Sequence, residues 1–549
     1  MSSIELTSVD KSEEPVADDR LDAILGRGLQ WLEAAVDRVN PIMVKETRQA
    51  LKSRQFVLTF FLVLVACWVA SFAVVAIVGP EVYYVAGGPR MLSIYFGILA
   101  FPLMLIVPYT AFRSLAVEQE DNTYELLSIS ALTTKQIITG KLGSAVVQMI
   151  VYLSAVSPCI AFTFLLRGVD ALTVAMLLVY FILTSLGLSM LALLAGTAAR
   201  VRYTQVILSV VLVITFAFFL IVSIIYAVAF VSESYQFIRD PWFWIGNLAF
   251  LTCYITTFAL IRAAAAAKIA FQSENRSTPM RRIMLVQQAC FLGWMTVVLV
   301  EDGLRFAEGV AMVSVIVSGI YWYFLGAILT AEWPYLSRRV QRSLPQSTFG
   351  QIFLTWLNPG PGTGYMFAVA NITYVSILGL ALLTVDVATS GAFTWFTTEH
   401  YFIVIGWGYF VTFLGVGRLL IGFARRYIHV SLTAGALLHI LLMMVAIALP
   451  QLIDYLSNPQ RFGVDYGLLH ITNPIWTLIR LTEGGPTAID AVLAVPIVIA
   501  SALVVLMLNI RTAWGEIQHQ RRALPERVVE EEAILHPAPE PKPQNPWES

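Results

Sequence analysis

The chain has 549 residues, of which 58% are hydrophobic and 13% charged, with a mean hydropathy of +0.74 and a formal net charge of −1. Soluble domains carry about 25% charged residues, so this composition excludes an ordinary soluble protein and makes the lipid bilayer its solvent. The near-neutral charge also argues against a nucleic-acid partner.

Met1 to about Arg20 is acidic and polar, lacks the apolar core of a secretion signal, and reads as a disordered start. Helical spacing follows in Leu21, Ile24, Leu25, Leu29, Leu32 and Val36. Asn40 is then a good N-cap and Pro41 suits a first helical position. The helix they start, to Arg54, sets Lys45, Arg48 and Lys52 on one face, a pattern that predicts a basic helix along the inner membrane surface.

A membrane span needs roughly 20 apolar residues. Six occur in the first half, Phe56–Val78, Met91–Phe112, Leu142–Leu166, Leu172–Ala198, Val206–Val231 and Trp242–Ile261. Six more are Ile283–Val300, Val310–Leu329, Tyr365–Val385, Tyr401–Phe423, Val430–Ile453 and Ala491–Ile510. The runs do not alternate, so the expected fold is an all-α polytopic membrane protein.

Basic residues concentrate in loops on the side of the N-terminus, among them Arg113, Arg200, Arg202, Arg281, Arg282, Arg338, Arg339, Arg425 and Arg426. The loops on the other side hold only Arg90, Arg167, Arg239, Arg305, Arg461 and Arg480. The positive-inside rule then puts both termini in the cytoplasm. Arg418 lies about a turn inside its span, where it would snorkel. After Pro525 an acidic run and five prolines predict a disordered tail.

Spans one to six and seven to twelve match in order and sidedness. Ala198-Ala-Arg200-Val-Arg202-Tyr203 closes the fourth span and Phe423-Ala-Arg425-Arg426-Tyr427 the tenth. The long inner loop after the second span has a counterpart, basic and Pro/Gly-rich, after the eighth. Six crossings return the chain to its starting side, so the halves form a parallel repeat. The organisation is a tail and helix over 1–39, six-span units over 40–282 and 283–511, and a tail over 512–549. The outer loop from Asp454 to about Gly485, with Trp476 and Leu478, is expected to dip into the outer leaflet as a lid.

Catalytic and metal signatures are lacking. No P-loop occurs, and the histidines make no i, i+4 pair. His439, inside a span, reads as an interhelical hydrogen-bonding residue. Cys67, Cys159, Cys253 and Cys290 fall in apolar spans and read as free buried thiols. No carboxylate lies deep in a span, which weighs against ion-coupled transport. Pro102, Pro108 and Pro158 should kink their helices. Neither enzymatic activity nor a cofactor or metal is expected.

The informative polar stretch runs from Glu118-Gln-Glu120 through Thr123-Tyr-Glu125-Leu126-Leu127 and Leu132-Thr133 to Gly140-Lys141. With the basic helix before the first span, it resembles the permease subunits of ABC exporters of the type-2 class. The group associated with multicopper-enzyme maturation is the nearest in flavour, here in a fused twelve-span form. Asn122 and Ala131 stand where that family commonly has a small residue and a proline.

The resemblance implies a coupling helix contacting a cytoplasmic ATPase subunit through Glu120, Thr123, Glu125, Leu126, Leu127, Thr133 and Lys135. It also implies a surface helix carrying Lys45, Arg48 and Lys52, with Lys135 and Lys141 where the chain climbs back to the headgroups. Further transporter subunits are compatible with it, and the substrate is not specified. The competing expectation is a permease-derived scaffold that anchors soluble partners without transporting.

Overall fold

The structure, a computed structural model, describes residues 40–78, 87–120, 133–199, 201–271, 273–303, 306–342, 355–390, 397–457, 466–484, 489–519 and 526–535. Among these there is no strand, and twelve helices are long and apolar enough to cross a membrane. The protein is an all-α polytopic membrane protein, and each sequence-predicted span overlaps one of the twelve helices.

In the first half a short helix α1 (Pro41–Leu51) precedes span 1, α2 (Arg54–Val78). Span 2 is α3 (Gly88–Phe101), a π-helical turn (Pro102–Ile106) and α4 (Val107–Glu120) in succession. Spans 3 to 6 are α5 (Thr134–Leu165), α6 (Ala171–Ala198), α7 (Arg202–Arg239) and α8 (Pro241–Ile269). Spans 7 and 8 are α9 (Thr278–Asp302) and α10 (Ala307–Thr330), followed by a short α11 (Arg338–Arg342). Spans 9 to 11 are α12 (Pro361–Ser390), α13 (Thr398–Ala424) and α14 (Leu432–Ser457). After α15 (Pro474–Gly484), span 12 is α16 (Ile489–His519), and α17 (Glu526–Leu535) closes the described chain.

The helices outrun the apolar segments because polar first and last turns stay helical beyond the hydrocarbon. Span 2 thus reaches Glu120 and span 3 starts at Thr134. The same effect corrects the expectation of a disordered tail from 512. Residues 512–519 continue span 12, and the good helix formers of α17 add an Arg527–Glu531 pair at 3.7 Å. Residues 1–39, including the helix expected over 21–39, lie outside the described residues.

Two compact units divide between Phe243 and Trp244, near the start of α8. Span 6 therefore belongs with the second unit, where Trp294 Nε1 donates to Thr252 Oγ1 at 2.7 Å and Gln287 Nε2 to Thr257 Oγ1 at 3.1 Å. Loop order places the repeat boundary at 282, whereas packing divides the chain earlier.

Span 2 is the hub of the first unit, with 67% of its apolar window buried against 11% for span 1. Its π turn has a covalent cause. Val107 N–H donates to Pro102 O, one residue further back than in an α-helix. The next bond in that register would come from residue 108, a proline without an N–H, so the Leu103 carbonyl loses its helical donor. Ser185 Oγ on span 4 donates to it instead, at 2.5 Å, with Ser185 fully buried. Pro158, by contrast, sits inside the continuous α5. Replacing Ser185 with alanine leaves that carbonyl unpaired, and detergent-solubilised protein should lose about 1–3 kcal/mol against SDS unfolding. A loss below experimental error would show that the carbonyl finds another donor.

In the second unit span 10 is central, and glycines allow close approach: a Cβ on Gly415 would lie 2.4 Å from Val505 of span 12. His439 is fully buried, as a hydrogen-bonded interhelical residue should be. Its Nδ1 faces Gly435 O at 3.0 Å, and a carbonyl only accepts, so Nδ1 carries the proton. Its Nε2 meets Thr330 Oγ1 at 3.2 Å.

The region expected as a lid is, where described, a 3-10 turn (Leu468–Thr472) and α15. Tyr409 of span 10 donates to Ile471 O at 2.5 Å, and Asn473 Nδ2 donates to Ile447 O of span 11 at 3.1 Å. These bonds fix the segment to its own unit, with Trp476 and Leu478 half-buried. All four cysteines are free, but only Cys67 and Cys159 are buried. Cys253 is exposed and Cys290 intermediate, because both project from peripheral spans.

Candidate functional site

Asn40 and Pro41 start α1 as expected: the Asn40 side chain accepts from Ile42 N–H at 3.0 Å. The helix lies across the first turns of span 3. A Cβ on Gly140 would come within 2.9 Å of Asn40 and Ile42, and one on Gly143 within 2.7 Å of Met43. These two glycines form the seat that lets the helices touch. Asn40 Nδ2 then donates to Gln136 O at 2.5 Å across the seam.

At the centre of that seam lies a buried charge joint. Lys141, expected where the chain climbs back to the headgroups, is 2% exposed and held among protein groups. Its ammonium donates to Glu46 Oε1 at 3.0 Å and Ser114 O at 3.2 Å and forms an ion pair with Glu118 Oε2 at 3.0 Å. Glu46 sits on α1, Ser114 and Glu118 at the end of span 2, and Lys141 at the start of span 3. Three chain segments that are distant in sequence are thereby pinned at one point. Gly140-Lys141 was visible in the sequence, but its carboxylate partners were not. Glu46 looked like one more charge on an amphipathic helix, and only the buried face of α1 shows that it points inward.

Among the residues assigned to ATPase contact, Thr123, Glu125, Leu126 and Leu127 lie outside the described residues. Glu120 was expected to open a new helix; it closes the helix of span 2 and is exposed. Thr133 is the N-cap of span 3, in a capping box: its Oγ1 accepts from Gln136 N–H at 3.3 Å, and the Gln136 side chain accepts from Thr133 N–H at 2.8 Å. Lys135 is exposed on the first turn. The segment 121–132 thus begins three residues after Glu118 and ends at the cap of span 3, with both feet tied together by Lys141.

The second unit repeats the arrangement with the charges rearranged. Arg281, fully buried at the start of span 7, uses every N–H of its guanidinium. Nε donates to Ser277 Oγ at 2.9 Å, and Nη1 to Trp356 O at 2.7 Å and Thr363 Oγ1 at 3.1 Å. Nη2 donates to Glu332 Oε2 at 2.7 Å and Gly360 O at 3.2 Å. Glu332 follows span 8, as Glu118 ends span 2, and it also accepts from Gly360 N–H at 2.8 Å. Gly360 adopts φ +146°, open in practice only to glycine, and this presents both its N–H and its carbonyl to the pair.

A further buried pair joins span 10 to span 12. Arg418 donates to Glu516 Oε1 at 2.7 Å and to Asn509 Oδ1 at 2.8 Å, while Glu516 Oε2 accepts from Gly362 N–H of span 9 at 2.7 Å. Arg418 is 4% exposed and therefore does not snorkel: a carboxylate within its own unit displaces the headgroup as its partner. Arg425, just after span 10, donates to the carbonyls of Ala331 and Glu332 and stacks 5.4 Å from the Trp333 ring. Burial lowers its pKa from the ordinary arginine value.

Among the described residues, no group of three His, Cys, Asp or Glu is placed to hold a metal ion. Arg281 is fully engaged by acceptors, and Lys141 and Arg418 are each paired with carboxylates of their own unit, so their chemistry is that of structural joints. No family model, curated protein or solved structure matches the chain.

Proposed function

We propose that the chain is the membrane subunit of an ABC exporter of the type-2 class, moving its substrate with ATP hydrolysed by a separate cytoplasmic subunit. The observation that supports this reading best is the Lys141 joint. A loop that receives a push from a soluble partner needs a rigid connection to the spans, and 121–132 stands between two feet locked by buried ion pairs. The same joint holds the surface helix, so a displacement of the loop reaches spans 1, 2 and 3 together. The concentration of Arg and Lys at the ends that carry these joints supports a cytoplasmic placement of both termini and a location in the cell membrane.

In this reading Glu120, Glu125, Leu126, Leu127 and Lys135 meet the ATPase, while Thr133 shapes the loop by starting span 3. The two six-span halves of one chain supply both permease units of the exporter. Purification in mild detergent should bring an ATPase with the chain, two copies of it per chain. Replacing Leu126 and Leu127 with aspartate should release it while membrane insertion is unchanged, because a desolvated unpaired charge costs about 2–5 kcal/mol at an interface. Recovery of the chain with no nucleotide-hydrolysing partner, or partner binding indifferent to Leu126 and Leu127, would refute the proposal.

A further inference from the structure

The six residues Pro41, Val44, Lys45, Arg48, Gln49 and Lys52 recur at helical spacing along α1, and all six are exposed. They line a surface groove of about 520 Å³. Charge is sorted across the helix. Its one carboxylate, Glu46, faces span 3 and is taken by Lys141 at 3.0 Å, so no acid remains on the outward stripe. Among the described residues Lys45 pairs with Glu118, at 3.9 Å, and that group is already held at 3.0 Å by Lys141. Among the described residues no carboxylate pairs with Arg48 or Lys52.

We propose that this groove binds the headgroup of an anionic phospholipid, its phosphate held between Arg48 and the lysines on either side. Charge complementarity sets the sign of the ligand. Position makes it an amphiphile: α1 ends at Leu51, span 1 starts at Arg54, and Val57 and Leu58 are already 56% and 66% exposed on the membrane-facing surface. A headgroup at Arg48 and Lys52 therefore sits where acyl chains can enter the bilayer beside span 1. Arg48 supplies a planar fork for two phosphate oxygens, and the lysines supply point charges. The anionic headgroup is selected over a zwitterionic one because it brings no amine into the groove. The site holds whether or not the chain is an exporter subunit, since it needs only α1 and the bilayer.

The test is a titration of the purified full-length chain with phosphatidylglycerol, read by native mass spectrometry. The K45Q/R48Q/K52Q variant is compared with R113Q/R202Q, which removes two exposed bases elsewhere in the first unit. Wild type and R113Q/R202Q should bind with equal affinity, and the triple variant about a hundredfold more weakly. Phosphatidylcholine should bind far more weakly than phosphatidylglycerol, and millimolar inorganic phosphate should not displace the lipid. Wild-type affinity in the triple variant, equal binding of phosphatidylcholine, or displacement by phosphate alone would each overturn the proposal. If the triple variant does not fold, R48Q and K52Q carry the test singly, each expected to weaken binding about fivefold.

Discussion

Replacing Lys141 with methionine should lower the stability of the detergent-solubilised chain by about 3–5 kcal/mol, the largest effect expected of any single change in the first unit. The methionine fills much the same volume, so the loss is electrostatic. Glu46 and Glu118, with side chains only 10% and 15% exposed, would be left as two neighbouring anions whose remaining cation is the exposed Lys45, 3.9 Å from Glu118. The second arm of the measurement is the K141M/E46Q/E118Q variant. Removing all three charges removes the stranded anions, and most of the lost stability should return. SDS titration monitored by circular dichroism measures both. If K141M unfolds like the wild type, the joint does not hold α1 to span 3.

The second large effect is at Arg281, where charge alone is insufficient. R281M should cost about 3–5 kcal/mol by leaving Glu332 without its cation and stranding the Trp356 carbonyl. R281K keeps the cation but offers three donors from a single point in place of five across a plane. It should therefore recover only part of the stability. Because Gly360 and Thr363 start span 9 against this residue, limited proteolysis between spans 8 and 9 should accelerate in R281M. Equal stability of R281K and the wild type would show that the fork geometry is unimportant.

The spans were legible in the sequence because hydrophobic runs of this length have no other stable disposition in a bilayer. The start of α1 was legible for an equally local reason: Asn40 and Pro41 cap it through atoms within two residues. The partners of Lys141 and Arg418 were missed because a lone cation near a span end looks the same whether it reaches for lipid or for a carboxylate far along the chain. Glu46 lies 95 residues from Lys141 and Glu516 lies 98 from Arg418, and neither spacing leaves a periodic trace. The π turn was half visible, since Pro108 announces a missing N–H, but only the packing of span 4 shows that Ser185 replaces it. Four residues of the expected coupling segment fall outside the described residues, so their assignment still rests on the resemblance.

The exchange of charges between the two joints has a consequence for how the chain assembles. Both joints place an acid at the end of a span, Glu118 on span 2 and Glu332 after span 8, while the base is Lys141 at the start of span 3 in one and Arg281 at the start of span 7 in the other. Segments of similar build are prone to mispairing during synthesis, when an early one can settle into the cradle meant for a later one. Here each such swap is electrostatically self-defeating. The Glu46 segment placed against Glu332 would set two acids together with no base. The Arg281 segment placed against Glu118 and Lys141 would crowd two bases around one acid. Like charges in a dry cradle repel strongly, so the order of the halves is written into the sign of a few buried side chains.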